Sequence, residues 1–124
     1  MGRRWEVDEA DWERVRGKIR GLLEEAAGNG SWLVYSDIVT GISELAGPDS
    51  HAFHEMLGEI SADCHASGLP LLSALAVYKG TYMPGLGFYR AAKSLGLDVG
   101  ASHSARYDFW WRQVELCHEA WRRR

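Results

Sequence analysis

Leu71-Leu72-Ser73-Ala74-Leu75-Ala76-Val77-Tyr78 is the stretch on which the fold turns. It is too short and too apolar for a lone surface helix, and Pro70 before it and the turn signal Lys79-Gly80-Thr81 after it bound a run of strand length. It reads as a buried strand. Tyr82-Met83 can then pair back as a short second strand, completing a small β-hairpin. Pro84-Gly85-Leu86-Gly87 breaks regularity before a helix over residues 88–95.

Working outward from that hairpin, Phe53, Met56, Leu57, Ile60 and Cys64 make a helical stripe over residues 51–66, with Ser50 as its N-cap and Gly68 at its exit. Ser36 and Asp37 mark the start of a preceding helix that carries Ile38, Val39, Ile42 and Leu45 and ends at Gly47-Pro48. Residues 31–35, apolar and aromatic, suit a brief strand. Outside this centre lie two longer amphipathic patterns. Trp12, Val15, Ile19, Leu22, Leu23 and Ala26 predict a helix over residues 8–27, and Trp110, Val114, Cys117 and Trp121 predict one over residues 105–121. Residues 97–104 read as a linker. Trp12, Trp110 and Trp121 offer large apolar surfaces, so the terminal helices are expected to pack on each other and against the middle.

The order strand, helix, turn, helix, two-stranded wing is that of a winged helix-turn-helix. The expected architecture is a single α-rich α+β domain, residues 1–124, with a winged-helix-like core over 31–88 between the two terminal helices. A chain of 124 residues with 46% hydrophobic and 25% charged residues forms one core and lies far from the composition of disordered chains. Fourteen Lys and Arg against seventeen Asp and Glu, a net charge of -3, announce neither a polyanion nor a membrane surface. No run of eighteen apolar residues occurs, so no membrane association is expected. Cys64 and Cys117, inside helical stripes, suit a reduced, cytoplasmic protein.

Tyr35-Ser36-Asp37-Ile38 with the capped second helix resembles the DNA-binding domain of the alkylguanine alkyltransferase and alkyltransferase-like proteins, over residues 32–75. That family carries Pro-Cys-His-Arg where this chain has Leu69-Pro70-Leu71-Leu72-Ser73, so alkyl transfer is not implied. Gly68-Leu69-Pro70-Leu71-Leu72, Ala76-Val77 and Pro84-Gly85-Leu86-Gly87-Phe88 resemble a group of small uncharacterised bacterial proteins, which implies a shared fold.

The winged-helix reading assigns nucleic-acid or partner contacts to Tyr35, Ser36, Ser50, His51, His54, Lys79 and Arg90. Glu55, Glu59 and Asp63 work against it, because their four-residue spacing puts one acidic stripe on the would-be recognition helix. Basic groups gather instead on or before the first helix (Arg3, Arg4, Arg14, Lys18, Arg20) and at the C-terminus (Arg122, Arg123, Arg124), and packing of the terminal helices would merge them into one patch. The terminal run also suits the helix dipole without any partner. Gly85 and Gly87 can leave amides free before the fourth helix, which with Arg90 and Lys93 makes an anion cradle; without ligand, the same glycines serve backbone geometry alone.

The chain shows no nucleotide loop, nucleophile elbow or catalytic triad, and no cofactor is expected. Neither Cys64-His65 nor Cys117-His118 can chelate one ion alone, since adjacent helical residues diverge by about 100°. No metal is expected. Trp5, Trp32, Tyr107 and Trp111 exceed what so small a domain can bury, which points to an interface, a homodimer through the aromatic-rich terminal helices included. The expected function is non-catalytic recognition of nucleic acid or of a protein that processes it. The alternative is a small-molecule or anion-binding protein, an enzyme included, with its pocket at the 84–90 loop.

Overall fold

The computed structural model describes residues 2–122, Arg3 through its backbone only. The order is β1 (Arg3–Arg4), β2 (Val7–Asp8), α1 (Glu9–Gly28), β3 (Leu33–Val34), α2 (Tyr35–Thr40), α3 (His51–Ala66), a 3-10 turn (Leu72–Leu75), β4 (Ala76–Val77), α4 (Leu86–Ser94) and α5 (His103–Ala120). The protein is helix-rich with little sheet: β1 pairs antiparallel with β2, and β3 pairs parallel with β4.

The run that decides the fold is the centre of the molecule. Leu71, Leu72, Ala74, Leu75, Ala76 and Val77 are each at most 1% exposed, and α1, α3 and α5 all pack on the 3-10 turn. Only Ala76 and Val77 form a strand, alongside Leu33 and Val34 rather than in a hairpin. The reason is where the backbone polar groups can go. A buried backbone must satisfy its N–H and C=O groups, and a segment walled in by three helices has no neighbouring strand to bond. The turn therefore bonds locally, with Ala74 N–H to the Leu71 carbonyl at 3.0 Å. The rest falls to α5: the Leu71 N–H donates to Gln113 Oε1 at 3.0 Å, the Cys117 thiol donates to the Leu71 carbonyl at 3.4 Å, and Trp110 Nε1 donates to the Ala74 carbonyl at 2.8 Å. Residues 110, 113 and 117 lie on one helix face. One face of α5 thus does for this segment what a partner strand does elsewhere.

The expected wing is corrected in the same way. Tyr78 N–H reaches the Met83 carbonyl at 2.9 Å, yet Tyr82 N–H turns back to the Tyr78 carbonyl at 2.9 Å and Tyr82 itself takes a left-handed φ of 54°. Residues 78–83 are a tight turn and carry no second strand. The second helix begins at Tyr35, before Ser36, and ends at Thr40; Ile42 and Leu45 are buried from the successive turns after Gly41. The residues read as a linker contain a cap, since Ser102 Oγ accepts from the Ala105 N–H at 3.0 Å and starts α5 two residues early.

α1 and α5 do pack on each other, but Trp12 and Trp110 are occupied elsewhere. Trp12 Nε1 donates to Glu59 Oε1 of α3 at 2.7 Å, and the Arg4 guanidinium lies 3.7 Å over the Trp12 ring. Glu59 also accepts from Arg16 at 2.8 Å and from Arg4 at 2.9 Å, so one carboxylate ties the N-terminal hairpin, α1 and α3 together. Partial burial raises the Glu59 pKa; the bonds from Trp12, Arg4 and Arg16 outweigh it and hold the carboxyl below the usual range. A depressed folded pKa means that this stabilisation is present above the unfolded value and is lost as pH falls through the folded one. Glu59→Gln is expected to cost about 1–3 kcal/mol at neutral pH and less at an acid pH where the carboxyl takes up its proton. Urea unfolding at both pH values checks this, and equal stability of the two proteins at neutral pH would remove the clamp.

Candidate anion-binding cleft

The residues singled out in the sequence divide into three groups. Tyr35, His54 and Gly85 come together: the Gly85 N–H donates to Tyr35 Oη at 2.9 Å, and His54 lies edge-on to Tyr35 with ring centroids 5.0 Å apart. His54 Nε2 donates to the Pro48 carbonyl at 2.7 Å. Burial pushes the Tyr35 phenol up to about 12. These contacts fasten the loop before α4 to α2 and α3. A side chain at Gly85 would press on Tyr78, a Cβ lying 3.1 Å from its ring.

Ser36 and Ser50 work within the backbone. The Ser36 carbonyl accepts from Thr40 Oγ1 at 2.6 Å, while Ser50 is buried, accepts from the Phe53 N–H at 3.2 Å to cap α3, and bonds Glu6. The third group is exposed. His51 stacks on Trp5 with centroids 5.8 Å apart, and Lys79 and Arg90 reach solvent.

Two expectations about charge are corrected here. The amide cradle is not assembled, because the Gly85 N–H is already taken by Tyr35, and Gly87 borders the α3–α4 groove while Arg90 lines a different concavity. Nor are the arginines of α1 a free basic face, although Lys18 is exposed and has no ion pair among the described residues. Arg4 pairs with Glu55 and Glu59, Arg14 with Asp11 and Glu44, Arg16 with Glu13 and Glu59, and Arg20 with Glu24. Of the C-terminal arginines, Arg122 is exposed, and Arg123 and Arg124 lie outside the described residues. Trp5, Trp32, Tyr107 and Trp111 are all exposed, as expected, with Tyr107 and Trp111 one turn apart on α5.

Three cations without an ion pair among the described residues gather at one place. Leu86, Arg90 and Lys93 form a single stripe along α4, and residues 97–101 with Arg106 of α5 face it across a cleft of about 500 Å³. Gly96 ends α4, the Leu97 N–H turns back to the Ala92 carbonyl at 3.2 Å, and Val99 is buried, so the loop forms a fixed wall. Asp98, the one carboxylate of the lining among the described residues, accepts the Gly100 N–H at 3.0 Å. Among the described residues none of Arg90, Lys93 and Arg106 has an ion pair within reach.

At the base of the cleft sits Tyr89, 8% exposed, with the Arg106 guanidinium 5.9 Å from its ring centroid. Burial raises the Tyr89 phenol, with Arg106 opposing. Tyr89 Oη and Arg106 Nε are both buried and bond to nothing among the described residues. Native proteins leave few such groups unpaired. Comparison with protein-family profiles, curated proteins and solved structures finds no match for this chain.

Sequence reading found Arg90 and Lys93 and missed Tyr89 and Arg106. The signal for Tyr89 was its spacing, one residue past Phe88 and four before Lys93 on a short helix. Arg106 carried none, because only folding carries α5 back against α4. Among the described residues no group of three or more His, Cys, Asp and Glu is arranged to hold a metal ion.

Proposed function

We propose that this protein is a non-catalytic recognition module for an anion-bearing ligand, phosphate or carboxylate, held between α4 and α5. One observation carries the reading: Arg90, Lys93 and Arg106 converge on a single cleft without carboxylate partners among the described residues, whereas Arg4 and the arginines of α1 are paired with Glu and Asp. Uncompensated like charges repel, and an anion relieves that repulsion while gaining charge-assisted bonds. The cleft has the size of a small-molecule site. On this reading the core over residues 31–88, which has a turn where a wing was expected, serves to hold α4. Groove reading by α3 is disfavoured, because Glu55 and Asp63 are exposed on it and Glu59 is committed to α1. A reducing, cytoplasmic setting suits the two buried thiols.

The test is titration with pyrophosphate and citrate, followed by melting temperature and calorimetry. The wild type is expected to gain stability with ligand. Arg90→Gln with Lys93→Gln should weaken binding about tenfold or more, the equivalent of one charged hydrogen bond. No shift with either anion at millimolar concentration would end the proposal. Retention on a single-stranded oligonucleotide, lost steeply with salt and with the same two substitutions, would give this face to a polyanion instead.

A further inference from the structure

We infer that Tyr89 and Arg106 together form the anchor for one oxyanion group, the phosphate of a small phosphomonoester whose apolar part lies along Leu86, Leu97 and Val99. The inference rests on the anion-binding reading above and narrows it. Tyr89 and Arg106 both line the cleft, the Arg106 guanidinium 5.9 Å from the Tyr89 ring centroid, and Tyr89 Oη and Arg106 Nε are both buried and both without an acceptor among the described residues. A hydroxyl can accept as well as donate, but an Arg Nε–H can only donate. What the pair lacks is therefore an acceptor, and an oxygen with several lone pairs satisfies both at once.

The arrangement also sorts candidate ligands. Arg90 and Lys93 stand on the exposed stripe of α4, where they meet a second and third oxygen of the same group or simply its charge. Leu86, 61% exposed, is the most exposed large apolar side chain of the protein among the described residues and lies one turn before Arg90 on the rim. Leu97 and Val99 continue that apolar wall on the loop side. A free inorganic anion leaves the wall uncovered. A monoester with an apolar or aromatic group fits both parts. Entry requires a small outward turn of the Arg106 guanidinium, since the two orphan atoms are closed to solvent in the free protein.

The test compares inorganic phosphate, phenyl phosphate and a single-stranded oligonucleotide on the full chain, by calorimetry and by the Arg106 Nε–H resonance. Phenyl phosphate is expected to bind about tenfold more tightly than inorganic phosphate, with the advantage lost in Leu86→Ser. The Arg106 Nε–H signal should shift on binding and exchange more slowly with water. Tyr89→Phe should weaken phenyl phosphate about fivefold, and Arg106→Lys tenfold or more, because Lys keeps the charge and loses the planar fork. Tyr89→Phe should melt no lower than the wild type, since it removes a hydroxyl that bonds nothing; a lower melting temperature would mean that the hydroxyl is structural. Unchanged affinity in Tyr89→Phe and Arg106→Lys, together with loss in Arg90→Gln/Lys93→Gln, would overturn the anchor and leave the cationic cleft standing. Tighter binding of the oligonucleotide than of phenyl phosphate would overturn the small-molecule assignment, and absence of binding by any of the three would remove both readings.

Discussion

Trp110→Ala is expected to lower the free energy of unfolding by about 3–5 kcal/mol, and Trp110→Phe by about 1–3 kcal/mol. The two values separate two jobs of one side chain. The indole is 6% exposed and fills the space between α5 and the 3-10 turn, so its removal leaves a cavity that the surrounding helices close only in part. Its Nε1–H also supplies the bond to the Ala74 carbonyl at 2.8 Å, and Phe keeps most of the volume while leaving that carbonyl buried and unpaired. Chemical denaturation of the three proteins measures both. If Trp110→Phe proves as stable as the wild type, α5 does not act as the surrogate strand for residues 71–75. Gln113→Leu probes the same idea from the Leu71 N–H and should be destabilising in the same direction.

That side-chain ladder explains why the central run could be read as buried from the sequence and yet be given the wrong local form. Its hydrophobicity fixes burial, and Pro70 and Gly80 fix its ends. Whether an eight-residue apolar run becomes a strand depends on which donors and acceptors come to meet it, and these arrive from Trp110, Gln113 and Cys117, more than thirty residues away. α2 stops at Thr40, well short of the expected end at Gly47-Pro48, whereas α1, α3, α4 and α5 were legible to within a few residues, since a repeat at three and four needs no partner to declare itself. Ser50 was legible as a cap for the same reason. Its hydroxyl answers to Phe53, three residues on.

Charge was the less legible part. The arginines on and before the first helix look like a basic patch when read in one dimension, but Glu59 and Glu44 sit across the fold from Arg4, Arg16 and Arg14 and cancel them. Free charge is what remains after such pairing, and pairing is a tertiary property. Arg90 and Lys93 stand out only once it is known that no carboxylate of the described residues has folded to them. The opposite error occurred at Gly85, where a tempting free amide is in fact a fixed bond to Tyr35.

Gly100→Ala is the substitution expected to damage both the fold and the cleft. Gly100 has a φ of 79°, where an L side chain costs about 1–2 kcal/mol, and a Cβ built there would lie 2.4 Å from the Ala105 Cβ. Neither atom can yield cheaply. Ala105 is held in the first turn of α5, its N–H bonded to Ser102, and Gly100 is tied to Asp98. The loop must therefore move away from α5, which adds about 1–3 kcal/mol of overpacking strain. Because residues 97–101 form one wall of the cleft and Arg106 follows directly on α5, the displacement should also weaken phosphate binding, a link between backbone geometry and ligand affinity that charge substitutions cannot test. Two controls isolate the cause. Gly96→Ala shares the left-handed backbone (φ 87°) but meets nothing within 4 Å, so it should cost the conformational part alone and leave binding near normal. Gly87→Ala has open space and an ordinary helical backbone, and should stabilise by up to about 1 kcal/mol. Denaturation and phosphate titration of the three variants would expose a mistaken loop geometry if Gly100→Ala behaved like Gly96→Ala in both.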